Sequence, residues 1–532
     1  MGIRITRRQA LKAGAAGVVL TSPIGIAPKY IRPARAAGLA PGMTGGPTGF
    51  PGAERYQYNE DMPEGRAIEG IKKLKAEGKA PEKLSFLLFS GAIGQFTKPF
   101  PEGAPTVRDV WKEETGIDVE FSGSGEVEMV TKVLQDITTQ AGVYDIYSAL
   151  WSNVGDLVAT GGIVNLDPYV AKYKPDWNDP ERGAPTPEIA DLLYKYAGSY
   201  YTISFDGDFQ TWVYRKDLFE DPENVKEFSD RYGWELGKPQ TWAHADNIAE
   251  FFFDKGMNGT VNLFSPFWGL GTYFMRYVGQ DKPNFQYFDD DGNPLLETEL
   301  GIKTAEEHVR SRQWANKDAL SWTWSEAYGS MAQGTGVMMS TYTNLRKFND
   351  RMNADGTPAT PASGKLGSFL PVGNWFGDDL IRRSVLYLNI NAEVSAQSEY
   401  PEAAYLFLQW ASCSRIFSWM SGNPAGYFDP FQKANFDDPL VQQTYHKDHV
   451  EVIQETIKRS APTINFAGQS AFDNGLDEEI QRALIGDITP EEAMKNASKK
   501  WRKIIRKKGE DRMIEAIRAS NKAAWPTIVD KA

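Results

Sequence analysis

At 532 residues the chain exceeds one ordinary core, and a norm of about 100–200 residues per domain points to two or three domains. A composition of 41% hydrophobic and 24% charged residues with 15 Trp is ordinary for a globular protein, and no apolar run nears the roughly 20 residues that span a bilayer, which argues against an integral membrane protein. The net charge of −12, with basic residues interspersed among acidic ones, lacks the footprint of a nucleic-acid binder.

Residues 1–36 combine Thr6-Arg7-Arg8-Gln9-Ala10-Leu11-Lys12, a weakly apolar stretch to about Ala27, and Ala34-Arg35-Ala36. This order resembles a twin-arginine export signal with its cleavage site. No cysteine that could carry a lipid follows, so a soluble periplasmic protein is expected. Residues 37–80 begin rich in Gly and Pro and read as a linker or extension with a short helix at Gly65 to Gly78. The apolar run Leu84 to Phe89 reads as a buried parallel strand. A helix at Val107 to Thr115 with Gly116 as its cap leads to a strand at Ile117 to Phe121. A helix at Val127 to Gln140, a strand at Tyr144 to Leu150 and a helix at Asn153 to Thr160 repeat the alternation, which predicts a doubly wound α/β lobe.

Longer helices follow, with extended stretches at Tyr200 to Ser204, Gln210 to Tyr214, Gly336 to Tyr342, Lys365 to Leu370 and Arg383 to Ile390. Phe288 to Pro294 is acidic but lacks the closing Glu and spacing of a calcium loop, so a tight turn is expected. From Pro401 the chain reads as mostly helical. Cys413, the one cysteine, lies in an apolar helix-like stretch and is expected to be a buried, inert thiol. The basic cluster Lys499 to Lys508 has helical spacing and reads as a solvated face.

Six segments in order resemble the maltose-binding-protein family of bacterial extracellular solute-binding proteins. They are Trp111 to Val119, Tyr144 to Asp167, Tyr214-Arg215-Lys216-Asp217-Leu218-Phe219, Pro239-Gln240-Thr241-Trp242, Met331 to Met339 and Leu484 to Ala493. The resemblance covers roughly residues 83–508. It implies a two-lobed α/β periplasmic binding protein fold of the type II kind, each lobe a sheet flanked by helices. One lobe is expected at 81–204 and 368–425, the other at 205–367 and 426–508, with a helical tail at 509–532. Three crossings are expected near Ser204 to Asp208, Gly364 to Pro371 and Gly422 to Pro430. The implied role is the substrate-binding component of an ABC importer, a monomer that captures a small carbohydrate or polyol between its lobes and delivers it to membrane permease subunits. No cofactor, metal or nucleic acid is called for.

A sugar presents C–H faces and many hydroxyls, so its site needs flat rings beside donors and acceptors. Rings next to acidic residues in loops are therefore the candidates, although any one of them is more often a core residue. Trp151 and Ser152 follow the third predicted strand. In Phe205-Asp206-Gly207-Asp208-Phe209, Asp206 is a candidate and Asp208 lies six residues before Tyr214, where the resemblance implies an interlobe acidic contact; capping or turn formation is an equal reading of Asp208. Trp268, Tyr273, Tyr342, Trp375 with Asp378 and Asp379, Tyr427 and Phe472 complete the set.

Two other classes compete. An exported carbohydrate-active hydrolase needs only a carboxylate pair, and 70 Asp and Glu make one easy to find. Against it, the Gly-x-Ser-x-Gly, His-Glu-x-x-His, Walker and dinucleotide motifs are absent from the sequence. The same fold could instead take a non-sugar ligand such as a polyamine, iron or a small anion, although the paired tyrosines of iron binding are not evident in the sequence. His446 and His449 share a helix face, and a surface helix is favoured over a metal site.

Overall fold

The computed structural model describes residues 38–280, 286–353, 355–522 and 528–531; the expected export signal at 1–36 lies outside them. Among the described residues no helix is long and apolar enough to cross a membrane. The fold is the expected two-lobed α/β architecture. In the first lobe, Lys83–Phe89 pairs in parallel with Asp118–Ser124 on one side and Ile146–Leu150 on the other. The links are the helices Val107–Thr115 and Glu126–Thr139. Thr106 caps the first by accepting from the Asp109 N–H, and Gly116 ends it at φ 66°, where a side chain would be strained. Ile390–Val394 joins antiparallel to Ile146–Leu150, and Ile203–Ser204 completes this five-stranded sheet.

The second lobe is built on a four-stranded sheet in the order Leu366–Phe369, Thr211–Arg215, Gly336–Thr341, Asn258–Thr260. Every residue of Gly336–Thr341 and Thr211–Arg215 is buried, as strands covered by helices on both faces require.

The chain first passes between lobes from Ile203–Ser204 to Thr211–Arg215, as the resemblance implied. The second crossing, expected at Gly364 to Pro371, lies elsewhere. Leu366–Phe369 is an edge strand of the second sheet, paired with Trp212 to Arg215, and the chain returns between Ser384–Leu386 and Ile390–Val394. A Phe209–Leu386 bridge ties these two crossings side by side. Ser384–Leu386 also pairs in parallel with Ser460–Pro462.

Residues 38–62 are not a free linker. Gly45 bridges Tyr58, whose hydroxyl donates to Glu114 at 2.7 Å and accepts from Trp410 Nε1 at 2.6 Å. Phe288 to Pro294 is the expected turn, closed by a Phe288–Pro294 bridge with Gly292 at φ 81°. In the helix Pro490–Lys508 the basic residues face outward, Lys500 toward Glu478 and Glu479, while Trp501 and Ile505 are buried. The helix Lys447–Lys458 is not a surface element throughout. His449 is fully buried, its ring nitrogens 2.8 Å from Ser368 Oγ and 2.8 Å from the Thr343 carbonyl, because it shares the packed face with Val450, Ile453 and Ile457. Cys413, fully buried between the helices Pro401–Ser412 and Ser414–Ser421, is the expected enclosed thiol, and burial pushes it well above its ordinary pKa.

Glu393 illustrates the cost of a carboxyl in this core. It is fully buried on the returning strand, one oxygen bonded to Thr202 Oγ1 at 2.8 Å and the other without a partner, and burial raises it to about 8. The folded protein therefore holds this proton at pH values where the unfolded chain has released it. Stability from this group is full below about pH 4.5 and is lost as pH rises toward 8, by about 1.4 kcal/mol per pH unit. Glu393→Gln is expected to gain stability relative to the parent between pH 5 and pH 8 in urea denaturation. A pH-independent difference would refute the assignment.

Candidate functional site

A cavity opens where the crossings meet, between the two sheets. From the first lobe and the returning crossing come Glu126, Leu150, Leu388 and Ile390. From the second come Trp268, Trp324, Tyr328, Tyr342, Asn344 and Phe348, while Asp208 and Tyr427 enter from the first crossing and from the segment between helices Ser414–Ser421 and Lys433–Phe436. Glu126 opens its helix just beyond the carboxyl end of Asp118–Ser124, where open α/β sheets place ligands. Trp324 is set by a capping box, in which Thr323 and Glu326 bond each other's backbone N–H groups. Its ring stands nearly perpendicular to Tyr328 at 5.5 Å and to Tyr427 at 6.2 Å. Tyr427 donates to Glu126 Oε1 at 2.7 Å, and Tyr328 donates to Asn344 Oδ1 at 2.6 Å.

Behind the cavity lies an acidic knot. One oxygen from each of Asp206, Asp208 and Asp429 can lie within 4.8 Å of the others. Asp206 Oδ1 accepts from the Gly207 and Asp429 N–H groups, and Asp208 N–H donates to Asn389 Oδ1 at 3.2 Å. Asp429 accepts from Lys347 Nζ at 3.1 Å, Tyr445 and Thr343. Asp206 Oδ2 and Asp208 Oδ1 are buried and receive no donor. Burial first, and neighbouring carboxylates second, push Asp206 and Asp208 well above the usual carboxylate range. The knot also needs Gly207, since a Cβ there would meet the Pro430 carbonyl oxygen at 2.6 Å.

Of the residues singled out from sequence, the structure brings Asp208, Trp268, Tyr342 and Tyr427 together, with Asp206 directly behind. Trp151 and Ser152 adjoin the cavity residue Leu150 but are buried; the Trp151 indole donates to the Leu192 carbonyl. Tyr273 is a second-lobe core residue whose hydroxyl points at Met494 Sδ, and Phe472 packs edge-on against Trp501 in that core. Trp375, Asp378 and Asp379 belong to an outer hairpin, Gly373–Phe376 with Asp379–Arg382, that pairs with Val529–Lys531. Their apolar-acidic pattern served a hairpin and its Asp379–Lys531 ion pair, so they are removed from the cleft set. Sequence reading missed Glu126, Trp324, Tyr328, Asn344 and Phe348. For Trp324 the Thr-x-x-Glu cap was a legible signal of a helix start, though not of what the start faces.

The family model for bacterial extracellular solute-binding proteins matches residues 93–412. The "Probable amino-acid ABC transporter periplasmic-binding protein" of Sinorhizobium fredii is 22% identical over 427 residues, covering 77% of this chain and 87% of that protein. An ABC transporter solute-binding protein from Agrobacterium radiobacter K84, solved with ribitol, superposes with a TM-score of 0.64 at 19% identity, covering 79% of this chain and 98% of its own. Maltose-bound MalE3 of T. maritima gives 0.63 at 15%, covering 79% and 99%, and a protein from Agrobacterium vitis S4 with D-mannitol gives 0.61 at 18%, covering 80% and 99%. Because the family model matches more than half of this chain, the chain belongs to the bacterial extracellular solute-binding proteins.

Proposed function

We propose that the chain is the substrate-binding component of an ABC importer and captures a small carbohydrate or polyol between its lobes, without catalysis. The observation that carries this reading is the cavity at the crossings, walled by both lobes with rings, carboxylates and Asn344. Ring faces suit C–H surfaces, and Asp208 and Glu126 offer acceptors to hydroxyls. A guest touching both lobes favours the closed form, which permease subunits can then distinguish from the open one. The ribitol, maltose and D-mannitol in similar folds support the ligand class. An α-amino acid fits less well. Its carboxylate asks for a cation, whereas the charged residues lining this cavity are Glu126 and Asp208. In this reading the protein works as a monomer in the periplasm, reached through the twin-arginine signal.

Calorimetry against monosaccharides, oligosaccharides and polyols is expected to show saturable one-to-one binding, with the ligand recovered unchanged by mass spectrometry. A hydrolysed product would overturn the reading in favour of an exported hydrolase.

A further inference from the structure

We infer that the captured solute carries a protonated amino group, seated against Asp208 inside the ring of aromatic side chains. The inference rests on the receptor role proposed above and narrows its ligand to an amine-bearing small molecule, such as an amino sugar or amino polyol.

Three independent features lead there. First, the cavity lining holds two carboxylates, Asp208 and Glu126, and no Lys, Arg or His. Second, Asp208 Oδ1 is buried and receives no N–H, and its neighbour Asp206, itself fully buried, has a carboxyl oxygen in the same state. Lys347 is the one cation among the described residues that bonds the three-carboxyl knot, and it is held by Asp429 and Tyr445. The cavity wall thus presents acidic oxygens that no cation among the described residues reaches. Third, Trp324, Tyr328 and Tyr427 stand at steep angles around the space, with Trp268, Tyr342 and Phe348 completing the wall.

A neutral polyol can donate to Asp208 but brings no countercharge, so burial continues to hold the carboxyl in its protonated form. An ammonium supplies the countercharge, up to three N–H donors and a cation for the ring faces. The cavity, about 30 Å³, has room for two or three water-sized groups at about 10–15 Å³ each. A compact ammonium head group therefore fits. Without the guest, burial biases Asp206 and Asp208 toward their protonated forms, beside Asp429 and Lys347 and flanked by Tyr342, Tyr328, Tyr427, Tyr445 and Glu126. A cation seated against Asp208 favours its ionised form and so drives a proton from it to solvent.

The test uses matched pairs differing in one group, glucamine against sorbitol and glucosamine against glucose, with putrescine as a simple amine. Calorimetry is run on the full mature chain in two buffers of different ionisation enthalpy. At least one amine is expected to bind about tenfold or more tightly than its neutral counterpart, releasing about one proton at neutral pH. In Asp208→Asn, whose folding is verified by an unchanged melting profile, that preference disappears; Asp378→Asn, on the exposed outer hairpin, provides a second variant and retains it. Neutral members binding as tightly as the amines would overturn the inference and leave the receptor reading standing. Silence from every amine would also overturn it, and silence from amines and neutral sugars together would take the receptor reading down as well.

Discussion

Replacing Lys347 with methionine is expected to cost about 3–5 kcal/mol of folding stability, measured by urea denaturation near neutral pH. Lys347 and Asp429 are both fully buried, with 3.1 Å between Nζ and Oδ1, and the ammonium also bonds Tyr445 and the Phe428 carbonyl. Methionine keeps the volume and removes the charge, so Asp429, Asp206 and Asp208 are left without their cation. Acidification should shrink the deficit, because protonating the carboxyls removes the charge that lost its partner. Asp429→Asn in the same background should recover part of the loss. A cost below about 1 kcal/mol would show that the pair contributes orientation rather than stability.

The second large effect lies outside the family-matched region. Trp501→Ala is expected to destabilise the protein by about 3–5 kcal/mol, read from the denaturation midpoint at unchanged slope. Trp501 is fully buried, its ring 4.8 Å from Phe288 and 5.5 Å from Phe472, with its indole donating to the Phe472 carbonyl at 2.8 Å. Phe472 and Trp501 come from consecutive helices, Gln469–Leu484 and Pro490–Lys508, and Phe288 from far upstream in the chain. A near-neutral result would mean that the helix Pro490–Lys508 is dispensable to the second lobe.

The elements that were legible in the sequence carry their signal locally. The run Leu84 to Phe89 is apolar because a parallel strand is covered on both faces, and Gly116 and Gly161 mark helix ends because both occupy the left-handed region at φ 66° and 70°. The second crossing was misplaced because Lys365 to Leu370 and Arg383 to Ile390 both read as extended, and periodicity does not say which sheet a strand joins. The cleft is the same problem at larger scale. Asp208 and Tyr342 stood out beside sheet strands already identified, whereas Glu126 and Trp324, nearly 200 residues apart, become neighbours of one cavity only through the fold. Trp375 and Asp379 show the converse, a ring beside acids that serves a hairpin.

The enclosure of Cys413 has a practical reach. With one sulfhydryl in the whole chain, and that one fully buried, engineered surface cysteines on opposite lobes could each receive a fluorophore with little background from the native thiol. Energy transfer between such dyes would then follow opening and shutting of single molecules as solute is titrated in.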